Sequence, residues 1–345
     1  MTPEQLQFEQ KKLEETKTEL EQKNKQMWAM SETVYREKKK IEDQLKDILS
    51  KQEELEIQKK ENDEKVKMLW EQSTAIHHEK ERINKLKEEV ELKHKEVIDS
   101  VNYAKLIQEA ILPNPVEVNA FLLNSFILFK PRDIVSGDFY WFYNKNNQNF
   151  IAAVDCTGHG VPGAFMSMIG NTLLNQIVRE KGISDPGQIL HALNNEINNA
   201  LKQKLETSES RDGMDMSICC FDFTKMELQY AGAMRPLYLI RNGILQEYKA
   251  DKFAIGGREY DVPKKFETHT FVLNKNDMVY LSTDGYADQF SPEDKKLMTK
   301  KFKEILVSIQ NKTMEEQKEY LNTFIENWKG KIHQTDDILV IGVKI

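Results

Sequence analysis

Glycine is missing from the first 136 residues of this 345-residue chain, although the whole chain contains 15 glycines. Proline is equally scarce in that part, because none occurs between Glu4 and Leu112. Glycine and proline commonly mark turns and loops, so their absence excludes a compact domain made of short elements there. The residues that remain are mostly Glu, Lys and Gln, and they predict one long helix with a solvated surface.

Cysteine and long apolar runs are also scarce. The three cysteines, Cys156, Cys219 and Cys220, are too few for a disulfide framework and predict a reducing compartment. No apolar run approaches the roughly 18 residues that a membrane span needs, and the polar N-terminus does not resemble a signal peptide. The net charge of -7 argues against a general nucleic-acid binder. We therefore expect a cytoplasmic protein, or the cytoplasmic part of a longer one.

Apolar residues recur at seven-residue intervals along the first part of the chain. The series is Leu6, Leu13, Leu20, Met27, Val34, Ile41, Ile48, Leu55, Asn62, Leu69, Ile76, Ile83, Val90, Val97, Ala104 and Ile111, and only Asn62 interrupts it. So long a heptad repeat predicts a left-handed coiled coil and hence a homodimer. The companion positions, four residues later, are mostly polar. A coiled coil with such a polar companion seam is either a low-stability spacer or a dimer stalk that passes a signal. Asn62 either fixes the register of the two helices or is a tolerated polar residue in the seam.

The composition changes near residue 112. The stretch from Val97 to Pro113 has a wider apolar stripe, which predicts that the helix packs here against the following domain. Pro113 and Pro115 then end the helix. We therefore predict a coiled-coil signalling stalk over residues 1–112 and a globular domain over residues 113–345.

Strand-like and helical stretches follow one another in the second part. The predicted strands are 126–130, 138–143, 150–154, 216–223, 227–231, 237–241, 278–283 and 338–344, and the predicted helices are 162–180, 186–205, 292–309 and 313–329. Thr224-Lys225 and Asn242-Gly243 are hairpin signals between neighbouring strands. Runs of hairpins separated from pairs of helices predict an α+β fold with antiparallel sheets.

Aspartates lie where predicted strands begin or end: Asp138, Asp155, Asp284, Asp336 and Asp337. Taken singly, such an aspartate is typical of a turn or a helix cap. Three of them, however, adjoin glycine-containing turns, in SGD, DCTGHG and TDG, where backbone can approach an ion closely. Clustered carboxylates repel one another, and Mg²⁺ or Mn²⁺ relieves that repulsion through oxygen ligands. The pattern therefore indicates a divalent-metal site.

Four motifs resemble one family when they are taken together. IVSGDFYWF, AAVDCTGHGVPGAFMSMIGNTLLNQIV, LSTDGYADQF and TDDILVIGVKI, in this order, are similar to the SpoIIE-like (RsbU-type) branch of the PPM serine/threonine phosphatases. YAKLIQEAILP and AGAMRPLYLIRNG add to the resemblance. It implies a PPM-type fold of two packed antiparallel sheets flanked by helices. It also implies hydrolysis of phosphoserine or phosphothreonine with two Mn²⁺ or Mg²⁺ ions and no covalent enzyme intermediate.

The resemblance also implies roles for individual residues. Asp155 would bridge the two ions, the backbone carbonyl of Cys156 would bind one of them, and Asp284 with Asp336 would ligate the first ion. Asp138 would hold or orient a water on the side of the second ion. Asp155, Asp138 and Asp284 are thus the predicted catalytic residues, and Asp337 and Gly158 would support the site. The substrate would be a phosphorylated regulatory protein, such as an anti-sigma-factor antagonist, with an upstream sensor acting through the stalk.

Other residues near these motifs have two interpretations each. Arg132 would bind the substrate phosphate or lie on the surface before a strand. Gly256 and Gly257, in the loop 249–264, would contact substrate or merely connect two elements. His159 follows Asp155 by four residues, so it is expected to cap the next helix or pack under the loop. Asp215 would touch a third ion or, as we prefer, be a loop residue.

Three other interpretations compete with a phosphatase. Cys156 with His159 suggests thiol or zinc chemistry, but no arginine follows before Arg179 and no second ligand pair is present. A nucleotidyl cyclase also uses paired aspartates, two ions and helical stalks, although no base-reading residues can be identified for it. A catalytically weak dimeric scaffold is the third hypothesis, and the full set of acids counts against it.

Overall fold

A computed structural model describes residues 2–203, 211–257 and 264–345 of the chain. The chain divides into two compact units, one extending to Leu92 and the other beginning at Lys93.

Helix α1 (Pro3–Ile111) is continuous across its 109 residues. It forms because Glu, Lys, Gln and Leu favour helix and no interior proline or glycine interrupts the hydrogen-bond ladder. The apolar residues of the heptad series from Leu6 to Val90 are exposed to solvent in this single chain. Among the described residues, no helix is long and apolar enough to cross a membrane.

Eleven strands and seven further helical segments follow α1 in the described residues. The helices are α2 (Pro115–Phe121), α3 (Gly160–Leu174), a π-helical segment (Asn175–Glu180), α4 (Pro186–Ala200), α5 (Gly285–Asp288), α6 (Met298–Ile309) and α7 (Met314–Lys329). The strands are β1 (Ser125–Lys130), β2 (Phe139–Lys145), β3 (Gln148–Cys156), β4 (Gly213–Asp222), β5 (Glu227–Ala233), β6 (Leu237–Arg241), β7 (Ile244–Tyr248), β8 (Ile255–Gly256), β9 (His269–Val272), β10 (Met278–Ser282) and β11 (Ile338–Lys344).

The strands of the described residues form two antiparallel sheets. The first has five strands in the order β1-β11-β10-β6-β7. The second has the order β2-β3-β4-β5-β9, and the short β8 pairs with β4 as its sixth strand. These sheets, with helices beside them, confirm the predicted α+β architecture of two antiparallel sheets flanked by helices.

Alternation along the strands divides the core into three layers. Side chains such as Ile151 and Phe221 of the second sheet pack against Leu281 and Ile341 of the first sheet. The opposite face of the second sheet packs on α3 and α4, and the opposite face of the first sheet packs on α6 and α7. Because side chains alternate between the two faces of a strand, both faces here are apolar and buried.

Most predicted elements agree with the structure to within a few residues. The exceptions are local: α6 begins at Met298 rather than at Pro292, and the short helices α2 and α5 and the strands β7, β8 and β9 were not among the predicted elements, although a hairpin signal at Asn242-Gly243 precedes β7. Neither β8 nor β9 has enough alternating residues for its pattern to stand out, and each is defined by pairing with a distant strand. Residues 204 and 205, in the predicted helix 186–205, lie outside the described residues.

Within the second unit, the end of α1 is tied to the loop before β2 and to α3 through one buried amide. The Gln108 side chain donates from Nε2 to the Ser136 carbonyl at 2.6 Å and to Ser167 Oγ at 2.8 Å. Its Oε1 accepts a hydrogen bond from the Ser136 backbone N–H at 3.1 Å. Ser136 lies one residue before Gly137 in the SGD motif, so the helix contacts the backbone that leads to Asp138.

We expect Gln108→Ala to lower the free energy of unfolding by about 1–2 kcal/mol, because it leaves buried polar groups of Ser136 unpaired. Denaturant unfolding of the residue 93–345 unit, followed by circular dichroism, measures this. Glu109→Ala, on the exposed side of the same helical turn, is the control and should change the unfolding energy by less than about 0.5 kcal/mol. Equal effects of the two substitutions would contradict the prediction.

Candidate active site

The aspartates lie at the ends of neighbouring strands in both sheets. In the second sheet, Phe139 pairs with Val154 and Asp155 pairs with Asp215, so Asp138, Asp155 and Asp215 share one end of β2, β3 and β4. In the first sheet, Ser282 pairs with Val340. The chain segments just beyond β10 and just before β11 therefore meet at the same edge. These segments carry Asp284, Asp336 and Asp337.

Arg235 lies among three of these carboxylates. Its Nη2 is 2.8 Å from Asp155 Oδ2, 3.1 Å from Asp215 Oδ2 and 2.6 Å from Asp284 Oδ2. The arginine side chain is only 18% exposed. One cation thus joins acids from both sheets.

Burial and mutual repulsion disturb the protonation of the cluster. Burial and then the charge of Asp155 hold the pKa of Asp138 well above its ordinary value, although a hydrogen bond with Thr283 opposes the shift. Burial raises the pKa of Asp155 to about 7, against the lowering effect of Arg235. The pKa values of Asp215 and Asp336 are also raised, in both cases mainly by burial. Burial is the main cause of these shifts, and repulsion between the carboxylates, which bound cations would relieve, adds to it.

The oxygen donors of this cluster fit a divalent cation. Asp138 Oδ2 is buried and has no hydrogen-bond partner, which leaves an acceptor free for a water or an ion. Carboxylate oxygens are the ligands that Mg²⁺ and Mn²⁺ prefer. In the described part of the chain, however, no three His, Cys, Asp or Glu side chains are arranged to hold an ion directly. Arg235 stands between the acids instead, and the donor chemistry, rather than a preformed cage, is what fits the metal.

Asp337 fixes the loop that presents Asp138. Its side chain is buried and accepts hydrogen bonds from the backbone N–H groups of Arg132 and Gly137, at 2.7 and 2.8 Å. A longer contact of 3.5 Å joins it to the Asp138 N–H. This carboxylate therefore organises backbone rather than pointing into the acid cluster, which is compatible with the predicted supporting role.

The DCTGHG loop turns tightly after β3. Gly158 has a φ of +82°, a conformation that glycine adopts without strain. A Cβ at Gly163 would meet the Gly158 carbonyl oxygen at 2.4 Å, and one at Gly137 would meet the same oxygen at 2.5 Å. The SGD loop, the DCTGHG loop and the start of α3 are thus in direct backbone contact, which places the turn beside Asp138.

Cys156 and His159 have ordinary structural environments. The Cys156 side chain is buried, and burial holds its thiol pKa well above the usual value, so it is a poor nucleophile. His159 occupies the N-cap position of α3 but makes no capping hydrogen bond with its side chain. Its Nδ1 lies 2.7 Å from Asp133 Oδ2, and both side chains are nearly half exposed. His159 is thus the N-cap residue by position, as one of the two interpretations expected, but its side chain pairs with Asp133 and does not cap the helix.

The predicted substrate-contact residues occupy two different places. Arg132 is exposed, and its positive charge opposes the rise in the pKa of the nearby Asp336 carboxyl. Gly256 pairs with Gly213, two residues before Asp215, so β8 lies beside the end of β4 that carries an acid. Gly257 donates its N–H to Gln203. Residues 258–263 of the loop 249–264 lie outside the described residues.

The sequence pattern missed Arg235 and misjudged Asp215. Asp215 lies in β4 directly opposite Asp155, so the preferred prediction of a loop residue was wrong. The period-two alternation of MDMSICCF could have extended the strand to it. Arg235 stands in AGAMRP, between β5 and β6, and its only local signal is a charge within an apolar hairpin.

Comparisons with known proteins identify the family of this chain. Residues 145–345 match the family described as stage II sporulation protein E (SpoIIE). The phosphoserine phosphatase RsbU of Bacillus subtilis (strain 168) is 27% identical over 199 residues, which are 56% of this chain and 55% of the relative. The chain therefore spans about half the length of this curated relative.

Solved structures show the same fold. The SiaA-PP2C domain of Pseudomonas aeruginosa is 32% identical, with a TM-score of 0.66 over 73% of this chain and 98% of that domain. The PP2C phosphatase domain of SpoIIE from Bacillus subtilis, solved with a fragment of its regulatory domain, has a TM-score of 0.52. Its identity is 19%, over 64% of this chain and 62% of that one, so this likeness concerns the fold alone.

Proposed function

Because the chain belongs to the SpoIIE family and has the fold of a PP2C phosphatase domain, we propose that it is a metal-dependent serine/threonine protein phosphatase. The observation that carries the proposal is the cluster of aspartates at the ends of β3, β4 and β10 and at the start of β11. A phosphate monoester is doubly charged near neutral pH and would be repelled by these acids alone. Bound cations at the same place would reverse that field.

The proposed ion ligands are the carboxylates of Asp155, Asp284 and Asp336 and the backbone carbonyl of Cys156, with Asp138 on the side of the second ion. Two Mn²⁺ or Mg²⁺ ions would acidify the attacking water and neutralise charge that develops on the phosphoryl group. Asp138 Oδ2, which is buried and without a hydrogen-bond partner, is suited to accept a hydrogen bond from that water and orient it. Asp337 holds the backbone of the Asp138 loop and so fixes that orientation.

The buried thiol of Cys156 takes no part in the proposed reaction. A covalent phosphocysteine route needs an accessible thiolate, and burial disfavours the thiolate here. The phosphoryl group would instead pass directly to water, and the serine or threonine hydroxyl would leave. Arg132, exposed beside Asp336, is the proposed contact for the substrate phosphate, and Gly256 and Gly257 are proposed to contact the protein substrate.

We propose a phosphorylated regulatory protein, such as an anti-sigma-factor antagonist, as the substrate. RsbU, to which this chain is similar, is by its name a phosphoserine phosphatase.

The buried free thiols of Cys156, Cys219 and Cys220 fit a reducing compartment such as the cytoplasm.

Control through a dimeric stalk is the second part of the proposal. The exposed heptad residues of α1 would be buried by a parallel second copy, since an isolated apolar seam of this length is costly in water. Gln108 supplies a contact from the same helix to the loop before Asp138. A shift of α1 relative to this loop would therefore move a residue that the mechanism uses.

One experiment tests the chemistry and the stalk together. The full chain and a chain beginning at Val97 are assayed with p-nitrophenyl phosphate and a phosphoserine peptide, in Mn²⁺ and in EDTA. Both should release phosphate only with the ion, because every proposed ligand lies beyond Val97. The full chain should sediment as a dimer and the shortened chain as a monomer, with unequal rates. Full activity in EDTA would refute the metal mechanism, and equal rates would refute control by the stalk.

A further inference from the structure

Arg235 is held in place before any ion arrives. Its backbone N–H donates to the Ala233 carbonyl at 2.7 Å, and its own carbonyl accepts a hydrogen bond from the buried Tyr230 hydroxyl at 2.8 Å. The side chain then enters the acid cluster, where Nη2 reaches three carboxylates within 3.1 Å. Its Nε is buried and has no hydrogen-bond partner. The acids therefore bind this arginine through a single nitrogen.

The contacts of Arg235 overlap the proposed ion ligands. Asp155 and Asp284, which contribute two of the three carboxylates, are also proposed to coordinate the ions. A guanidinium nitrogen 2.6–2.8 Å from their Oδ2 atoms occupies the space in which a Mg²⁺ ion would sit about 2.1 Å from the same oxygens. An ion placed between these two oxygens would overlap the nitrogen, so the two cations compete for that position. Asp215, the third partner, is not among the proposed ion ligands.

We propose that Arg235 is an internal counter-cation that assembles the acid cluster in the ion-free protein and sets the ion affinity by competing for Asp155 and Asp284. This inference rests on the proposed metal site. In the ion-free protein the arginine offsets repulsion between acids that come from two sheets. When ions bind, they displace the guanidinium from Asp155 and Asp284, while Asp215 retains it at the edge of the site. Arg235 is thus a positioning residue of the metal centre.

The charge balance favours such an exchange. Arg235 supplies one positive charge to three carboxylates, and Asp138 and Asp336 add further negative charge to the same surroundings. Two divalent ions bring four positive charges to these acids, so they can displace the arginine despite its hydrogen bonds. In the ion-free protein the acids are therefore held together, but the arginine neutralises only part of their negative charge. The protein can thus fold without metal and still bind metal ions afterwards.

The test compares Arg235→Gln with the unchanged protein, with both made ion-free. Isothermal titration with Mn²⁺ alone should give a dissociation constant at least about tenfold lower for the variant, because the ion no longer displaces charge-assisted hydrogen bonds. In EDTA, the thermal midpoint of the variant should fall by several degrees, because the acids lose their counter-cation. Arg235→Lys retains the charge on a side chain with a single compact ammonium group, and should have an intermediate dissociation constant.

Lys303→Gln is the matched control. Lys303 is a partly buried lysine of α6 that pairs with Glu247, so its loss changes the net charge equally but away from the acids. It should leave the Mn²⁺ dissociation constant unchanged. If Arg235→Gln does not fold, Arg235→Lys provides the comparison.

Each outcome has one meaning. If the Mn²⁺ dissociation constant of Arg235→Gln equals or exceeds that of the unchanged protein, the proposed role of Arg235 is refuted. The proposed phosphatase function is not refuted by this result as long as the unchanged protein binds Mn²⁺. If neither the unchanged protein nor the variants bind Mn²⁺, the proposed function and this inference both fail. If Arg235→Gln binds Mn²⁺ and the unchanged protein does not, the result supports competition in which Arg235 fully prevents Mn²⁺ from binding to Asp155 and Asp284.

Discussion

Asp155→Asn should reduce Mn²⁺-dependent release of phosphate by about a thousandfold or more, because removal of one preorganised electrostatic group alone costs roughly 10²–10³ in rate and this one is also the proposed bridging ligand. Asparagine preserves the shape of the side chain but removes the charge that would hold the ions. Initial rates with a phosphoserine peptide at saturating Mn²⁺ measure the effect.

The loss must come from the site and not from unfolding. The pKa of Asp155 is raised to about 7, above its unfolded value near 4, so this group lowers the stability of the ion-free protein as the pH rises from about 4 to 7, and the full penalty is present above pH 7. The neutral asparagine avoids that penalty, and thermal melting in EDTA at pH 8 should show a folded protein. Asp222→Asn is the control at the opposite end of the same sheet, where Asp222 pairs with Gln148. It should retain most of the activity, and retention by Asp155→Asn as well would refute the proposed bridge.

Gly285→Ala should lower the free energy of unfolding by about 2–3 kcal/mol, a typical cost of overpacking against rigid surroundings. A Cβ at this position would lie 1.9 Å from the carbonyl oxygen of Asp337 and 2.9 Å from its carbonyl carbon. That neighbour is backbone at the start of β11, so it cannot rotate away. The clash would separate Asp284 from Asp336, and Mn²⁺ affinity should fall together with stability.

Gly182→Ala is the control for this substitution. Gly182 has a φ of +72° and nothing within 4 Å of an added Cβ, so alanine there should cost only the strain of a left-handed conformation, about 1 kcal/mol. Denaturant unfolding in EDTA separates the two effects, and calorimetry with Mn²⁺ reports the site. Equal losses for the two variants would show that the contact between Gly285 and Asp337 is not tight.

The pattern of the sequence predicted elements whose signals are local. The heptad series and the absence of glycine and proline specify α1, and short continuous apolar runs specify strands such as β3 and β11. The predicted helix 162–180 is helical throughout, but its last six residues are π-helical. The short strands β8 and β9 were not predicted, because they are defined by pairing with distant strands and a strand of two to four residues has no stability of its own.

The sequence likewise indicated some features of the candidate site and not others. The sequence indicated Asp138, Asp155, Asp284, Asp336 and Asp337, because an acid at the end of a predicted strand is a local pattern, and the first three also adjoin glycine-containing turns. It could not show that Asp337 accepts from backbone N–H groups while Asp138 keeps a free oxygen, since the partners of Asp337 lie about 200 residues earlier in the chain.

The sequence by itself determined a long heptad helix, a domain of hairpins and helix pairs, and a set of acids at strand ends. The tertiary structure decided how those acids are neutralised. Asp215 faces Asp155 only because β3 and β4 pair in one register, and Arg235 reaches Asp284 only because the two sheets pack face to face. The physical reason is that charge interactions depend on distance and burial, and these arise from contacts between residues far apart in the chain.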